Sequence, residues 1–283
     1  MSKNTINSID DFITGEKFYQ IADLIYTPNI KSEFDDYNKI ENTFNIKKLK
    51  DINVVYTHTL YVKHLFKIIK DITVKFIIIT HNSDINIDNS FEIPDNVIHW
   101  YSQNVNVIKN NLTSIPIGLE NKRWFKDINK KQKMLDILNT DKDIKNLVYI
   151  NHNIKNNPTE RLLPYEVLYD KSYATIEYGT NGTNFDNYLY NIYNHNFVIC
   201  PIGNGIDTHR MWECLYLNTI PIVKTNINNL FYKNHLPICF VDEWRDLDKN
   251  FLEEQYIKIN TKFYNFDMLK IDYWKTKIDY HRN

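Results

Sequence analysis

From about residue 51 the apolar positions of this chain fall into short buried-type runs separated by stretches of helical spacing. Residues 53–57 predict a short buried strand. Residues 61–69, apolar at Tyr61, Leu65, Phe66 and Ile69, predict the helix that follows. The run 75–80 is rich in β-branched residues, suits the interior of a parallel sheet, and ends in the polar loop His81-Asn82-Ser83-Asp84. Residues 97–100 and 112–118 predict two more short strands, and 134–138 a helix. The charged stretch 139–146 predicts an inter-domain connection, after which the alternation restarts: strand 147–150, helix 159–169 interrupted at Pro164, strand 173–176, helix 184–193. A strong strand at 197–201 then leads through a glycine loop into a helix at 207–217, strands at 220–224 and 238–241, and a terminal helix anchored by Trp274. Two successive alternations predict an α/β chain of two Rossmann-like halves, with ligands held beyond the carboxyl ends of the strands in the cleft between them. The expected division is 1–143, 144–255, and a helical segment 256–283 that can pack back on the first domain.

Composition narrows the function. The chain has 283 residues and 43% apolar content, enough for two cores. Its Lys+Arg count of 34 against 35 Asp+Glu lacks the basic excess of a polyphosphate binder, so nucleic acid is not the expected partner. Cys200, Cys214 and Cys239 sit in apolar runs without CxxC or Cys/His spacing, which predicts buried free thiols in a reducing compartment and no zinc site. The N-terminus is polar, and the longest apolar runs fall far short of the roughly 20 residues that span a bilayer. A soluble, cytoplasmic protein is expected, in the host-cell cytoplasm if it is virus-encoded. The abundance of Asn, Ile and Lys reads as coding bias and weakens any argument from a single Asn or Lys.

The chemistry concentrates at residues 197–224. A buried strand runs into Gly203-Asn204-Gly205, where glycines allow positive φ and close approach of a ligand, and successive N–H groups can form an anion nest. The following helix start, with Asp207 as N-cap or Thr208 one position on, adds unpaired N–H groups and a positive dipole end. Arg210 and Glu213 share one helix face, so the cation can meet a diphosphate while the carboxylate takes ribose hydroxyls. Spacing alone equally allows a solvated ion pair and an ordinary turn. The loop lacks the dinucleotide fingerprint and a Walker lysine, which weakens an NAD-type oxidoreductase reading.

Residues 200–223, Cys-Pro-Ile-Gly-Asn-Gly-Ile-Asp-Thr-His-Arg-Met-Trp-Glu-Cys-Leu-Tyr-Leu-Asn-Thr-Ile-Pro-Ile-Val, resemble the donor-site signature of exostosin-like glycosyltransferases. Asn218 replaces the usual glycine; Asn is the next-best residue for a left-handed C-cap, so the turn should survive. Thr80 through Asp84 and Ile115-Pro116-Ile117-Gly118-Leu119-Glu120-Asn121 echo cleft loops of viral and bacterial members. The resemblance implies a GT-B fold with acceptor domain first and nucleotide-sugar domain second, donor contacts at Gly203, Asn204, Gly205, Asp207, Thr208, His209, Arg210 and Glu213, and inversion without a catalytic metal or cofactor. The nucleotide sugar is then a co-substrate, UDP-linked, with xylose offered by analogy to viral relatives, and the partner is a glycan acceptor. The two D-x-D spacings, at 141–143 and 246–248, read as surface charge.

Inversion requires a base projecting from the first domain. Asp84 is the favoured candidate, with His81 as alternative base or as its orienter; the loop can equally be an ordinary capped turn. Asn151, Asn153 and Arg161, after the 147–150 strand, are candidates to hold the donor's phosphates from the opposite side, against the alternative of an Asn-rich surface loop. Gly118, Leu119, Glu120 and Asn121 are expected to line the cleft on the acceptor side. A non-catalytic nucleotide- or carbohydrate-binding protein remains the alternative.

Overall fold

The computed structural model describes residues 6–28, 41–122, 129–178 and 184–282. Two parallel five-stranded sheets form its frame. The first carries β1 (Leu24–Tyr26), β2 (Ile52–His58), β3 (Lys75–His81), β4 (Val97–Ser102) and β5 (Leu112–Ser114), side by side in chain order. Around it lie α1 (Gly15–Ile21) and α2 (Thr59–Ile69), while α3 (Asn129–Leu138) packs on the helix Phe185–Tyr193 of the second half. The second carries β6 (Asn146–Ile150), β7 (Ala174–Ile176), β8 (His195–Ile199), β9 (Ile220–Lys224) and β10 (Cys239–Val241), ordered β10-β9-β8-β6-β7. Its helices are α4 (Pro158–Arg161), α5 (Leu163–Leu168), α6 (Phe185–Tyr193), α7 (His209–Tyr216), α8 (Ile227–Leu230) and α9 (Lys249–Asn260), followed by α10 (Ile271–Tyr280).

The strands are apolar on both faces because both faces are covered, as parallel sheets require. Val55, Phe76, Ile78 and Trp100 pack on Val62, Leu65, Phe66 and Ile69 of α2. The opposite face, Val54, Tyr56, Ile77 and Ile79, joins a cluster with Phe12, Phe18, Trp274 and Ile278. Each such Val or Ile, buried completely, contributes about 1.5–3 kcal/mol. In the second half Val148, Ile150, Phe197 and Ile199 bury against Tyr165, Leu168, Leu252 and Ile259. Among the described residues no helix is long and apolar enough to cross a membrane.

Several boundaries differ from the sequence expectation for physical reasons. The 159–169 helix is two short ones, broken at Leu162, because Pro164 belongs in the first turn of α5, where its missing N–H costs nothing. The strand expected over 112–118 stops at Ser114. The chain then turns through Gly118 at φ +66°, where a Cβ would lie 2.3 Å from the Ile13 carbonyl oxygen. The boundary at 255 falls inside α9, whose Leu252 and Ile259 both belong to the second core.

Residues 6–28 supply α1, β1 and a strap between the halves. Phe12 and Ile13 are fully buried, and Phe12 meets Tyr216 edge-on at 4.8 Å. The Tyr216 hydroxyl accepts the Ile13 N–H at 3.0 Å and donates to the Leu269 carbonyl at 2.9 Å. The chain end returns to the first sheet: Tyr101 donates to the Lys277 carbonyl at 3.0 Å, and Arg282 pairs with Asp23 at 2.8 Å.

Candidate functional site

In the second sheet the strand order reverses between β6 and β8, so the loops leaving their carboxyl ends part at that point, which is where ligands bind in open parallel sheets. Those loops and the start of α7 enclose a cavity of about 580 Å³. The carboxyl ends of β2, β3 and β4 open onto a second cavity of about 520 Å³. Asp84, Ile117, Glu120 and His209 line both, so the two are lobes of one cleft between the sheets.

Gly203, Asn204, Gly205, Asp207, Thr208, His209, Arg210, Glu213, Asn151, Asn153 and Arg161 all line the larger lobe. The glycine loop is built differently from a nest. Among the described glycines only Gly118 has positive φ, and the Gly203 N–H donates to the Gly205 carbonyl at 3.0 Å. Glycine is needed there for closeness instead: a Cβ on Gly203 would lie 2.8 Å from Arg161 Nη2, and one on Gly205 2.8 Å from Asn104 Nδ2.

The N-cap of α7 is Thr208 rather than Asp207, and it makes no side-chain cap bond, so the positive end of this helix opens onto the larger lobe. Asp207 turns inward. Its buried carboxylate accepts the Ile117 N–H at 2.8 Å, the Thr208 N–H at 2.9 Å and Trp212 Nε1–H at 2.9 Å, while its own N–H donates to Asn104 Oδ1 at 2.8 Å. Burial pushes this carboxyl up to about 6, against the pull of those donors. Since Ile117 and Asn104 belong to the first half, Asp207 latches the two halves together. At the far end of α7, Asn218 takes φ +54°; its N–H and that of Thr219 reach back to the Leu215 and Cys214 carbonyls, closing the helix as glycine would.

Two arginines occupy the larger lobe. Arg161 donates from Nε to the Ile202 carbonyl at 2.9 Å and from Nη1 to the Asn153 carbonyl at 3.0 Å, and burial followed by the neighbouring Arg210 charge lowers its pKa. Arg210 lies 4.9 Å from the Tyr188 ring centroid, with its Nη1 buried and without a partner. Among the described residues Arg210 and Glu213 form no ion pair; the buried Glu213 carboxylate instead accepts the Tyr188 hydroxyl at 2.6 Å. The solvated i,i+3 pair is therefore absent. His152 meets the Arg161 carbonyl through Nε2 at 2.8 Å, so Nε2 carries the proton and the buried Nδ1 is an acceptor without a partner. Burial, then the two arginines, pulls this imidazole down to about 3 and keeps it neutral. Asn151 donates to the Tyr149 hydroxyl and to Glu177, while Asn153 caps the short turn that follows.

In the smaller lobe Asp84, Leu119, Glu120 and Asn121 line the wall. Gly118 does not; its carbonyl accepts His209 Nδ1–H at 2.7 Å. His209 Nε2 faces Glu120 Oε2 at 3.2 Å. Burial alone would lower the His209 imidazole, but the Glu120 carboxylate and the Gly118 carbonyl raise it to about 9, so it is a cation at neutral pH. His81 is not in the wall. Its ring is fully buried, with Nε2 3.0 Å from the Pro116 carbonyl and Nδ1 3.2 Å from Asn82 Oδ1, and burial drives it down to about 4. It supports the loop and makes no hydrogen bond to Asp84.

Sequence reasoning missed Tyr188, Asn104, Gln103 and His58, all of which the fold brings to the cleft or its latch. Tyr188 precedes the Arg210 motif on a separate helix, and Asn104 acts on Asp207 from 103 positions away, so no local spacing marks either. Of the D-x-D spacings, Asp246 and Asp248 serve as helix caps. Among the described residues no three His, Cys, Asp or Glu gather into a group able to hold a metal ion. No family model matches the chain, and no curated protein matches its sequence.

Proposed function

We propose that the protein is an inverting glycosyltransferase of GT-B architecture, moving a sugar from a UDP-linked donor to a carbohydrate acceptor without a catalytic metal. The observation that carries this reading is the buried Arg210 guanidinium with an unpartnered Nη1, set beside Arg161 at the strand-order reversal of the second sheet. Arg161, Arg210 and an uncapped helix start form an anion site suited to a diphosphate. Glu213, one turn deeper, takes the ribose hydroxyls. The adjoining lobe on the first half supplies the place for an acceptor, and the likeness of residues 200–223 to the exostosin-like donor signature points the same way.

In the reaction the acceptor oxygen attacks the anomeric carbon as the bond from that carbon to the phosphate oxygen breaks, its electron pair leaving with the diphosphate. Arg161, Arg210 and the α7 start meet that growing charge in a site already organised for it. Asp84, on the wall common to both lobes, takes the acceptor proton.

A thermal-shift screen against nucleotide diphosphates, UDP-sugars and NAD tests the reading. A ligand present at 100 times its Kd raises stability by about 2.7 kcal/mol. UDP and one UDP-sugar should do so, with slow donor hydrolysis that survives EDTA. Binding without any turnover would instead identify a nucleotide-binding protein, and a response to NAD alone would reject the site.

A further inference from the structure

Two buried side-chain atoms among the residues lining the larger lobe lack a partner, and they differ in kind. Arg210 Nη1 is a donor, whereas His152 Nδ1 is an acceptor. The state of His152 follows from its surroundings. It lies two residues past β6, with Nε2 2.8 Å from the Arg161 carbonyl, which can only accept, and its ring centroid 4.7 Å from that of Tyr165. Its backbone is tied as well. The His152 N–H donates to the Tyr165 hydroxyl at 2.8 Å, and that hydroxyl reaches the His152 and Glu177 carbonyls at 2.8 and 3.0 Å. Flipping the ring would set a carbon against the Arg161 carbonyl, so Nε2 keeps the proton and Nδ1 its bare lone pair. Burial, with the charges of Arg210 and Arg161, pulls the imidazole down to about 3 and keeps it neutral. No described side chain fills the gap: Arg161 bonds the Ile202 and Asn153 carbonyls, and the Tyr188 hydroxyl donates to Glu213.

We propose that His152 is a specificity-determining residue whose Nδ1 accepts a hydroxyl of the bound nucleotide sugar, from the ribose or from the sugar, while the diphosphate lies on the arginine side of the lobe. The inference rests on the glycosyltransferase reading above and deepens it. Ionised phosphate oxygens carry only lone pairs, which suit the guanidinium groups of Arg161 and Arg210 and repel a bare nitrogen. A hydroxyl supplies the missing donor, and its oxygen can still accept from a neighbouring N–H. A site built around such a bond rejects an analogue without the hydroxyl, because the buried nitrogen then stays unpaired. The bonds that hold the His152 ring and backbone fix the direction of Nδ1 before the ligand arrives, so little ordering is needed on binding.

The test is isothermal titration of the full chain and of His152→Gln at about pH 8, where the terminal phosphate of UDP is ionised. The ligands are 2′,3′-dideoxy-UDP, UDP, UDP-glucose, UDP-galactose and UDP-xylose. Glutamine can reach the Arg161 carbonyl with its amide N–H but sets no acceptor where Nδ1 stands. The substitution should weaken ligands carrying the hydroxyl by about 3–10-fold and 2′,3′-dideoxy-UDP by less than about twofold. UDP and its sugars weaken together if the ribose supplies the hydroxyl; the UDP-sugars alone weaken if the sugar does. Equal weakening of the dideoxy nucleotide, or no weakening at all, overturns the inference while UDP binding keeps the nucleotide site intact. Nitrogen NMR of the histidine-labelled parent gives a readout that needs no stable variant. On saturation with UDP or a UDP-sugar, Nδ1 should shift as a hydrogen-bonded acceptor while Nε2 keeps its proton; an unmoved Nδ1 or a doubly protonated ring contradicts the proposal. Failure of UDP and every UDP-sugar to bind the parent overturns both readings.

Discussion

Replacing Arg210 with Met removes the guanidinium while leaving an apolar stem of similar reach against Tyr188. In the free protein Nη1 is buried without a partner, which costs about 1–3 kcal/mol. Its stacking on Tyr188, at 4.9 Å, returns about 0.5–2 kcal/mol. The two nearly cancel, so Arg210→Met should unfold within about 1 kcal/mol of the parent, or about 2–4 °C in Tm for a chain of this size. Binding behaves differently. A hydrogen bond from a cation to phosphate contributes about 1.5–3 kcal/mol, which is about 10–150-fold in Kd. Isothermal titration with UDP at fixed ionic strength, beside urea unfolding of the ligand-free proteins, separates the two quantities. A variant that loses about 3 kcal/mol of stability yet binds UDP normally would make Arg210 a structural charge and refute the argument.

Three more outcomes follow from the same geometry. Gly203→Ala places a methyl 2.8 Å from Arg161 Nη2, the movable end of a long side chain, so stability should change by less than about 1 kcal/mol while UDP affinity falls several-fold; equal affinity in a titration would show that Arg161 does not touch the donor. Asp207→Ala strands the Ile117 N–H and Trp212 Nε1–H in the interior and should cost about 3–5 kcal/mol in urea unfolding, a loss of under about 1 kcal/mol meaning that the latch carries no load. His209 has a folded pKa near 9 against an ordinary 6.5, so the folded chain holds the extra proton. Its stabilisation is complete below about pH 6.5 and disappears as pH rises through about 9. The stability advantage of the parent over His209→Gln should therefore shrink between pH 6 and pH 10, and a constant difference would rule out the charged pair with Glu120.

The strong strands were legible because burial on both faces leaves an unbroken apolar run, as in Phe76 to Ile79 and Phe197 to Ile199. The residues of the larger lobe were legible because one strand, one turn and one helix carry most of them in a single stretch. Their partners were not. Asn104, Tyr188 and the Ile13 strap act across separations of 103, 25 and 203 positions, and periodicity carries no information about which distant loop meets which. His81 shows the opposite error. A histidine at a strand end looks available in sequence, yet the Pro116 carbonyl claims Nε2 and burial removes its charge. The roles of Gly203 and Gly205 depend in the same way on side chains arriving from elsewhere, since their need for glycine lies in the approach of Arg161 and Asn104 and not in φ.

The polar residues of the cleft sort into two groups by what the fold has already satisfied. Asp207, Asn104, His81, Asn82, Gln103 and Asn121 bond to one another or to backbone, fixing the loops and joining the halves. A ligand gains little from groups whose bonds would first have to be broken. Arg210 Nη1 and His152 Nδ1 are left buried and unpaired, and Asp84 stands in the common wall without a described hydrogen bond or ion pair. Their free-state cost is recovered only on binding, so the ligand is specified by what they lack: anionic oxygens for the guanidinium, a donor for the imidazole nitrogen, a hydroxyl proton for the carboxylate. Because Asp207 and His209 adjoin Arg210 on the same loop and helix, the latch that closes the halves also fixes the distance between the cationic lobe and Asp84. Loosening it should lower turnover more than nucleotide affinity, since Arg161, Arg210 and Glu213, the proposed donor contacts, all lie within the second half.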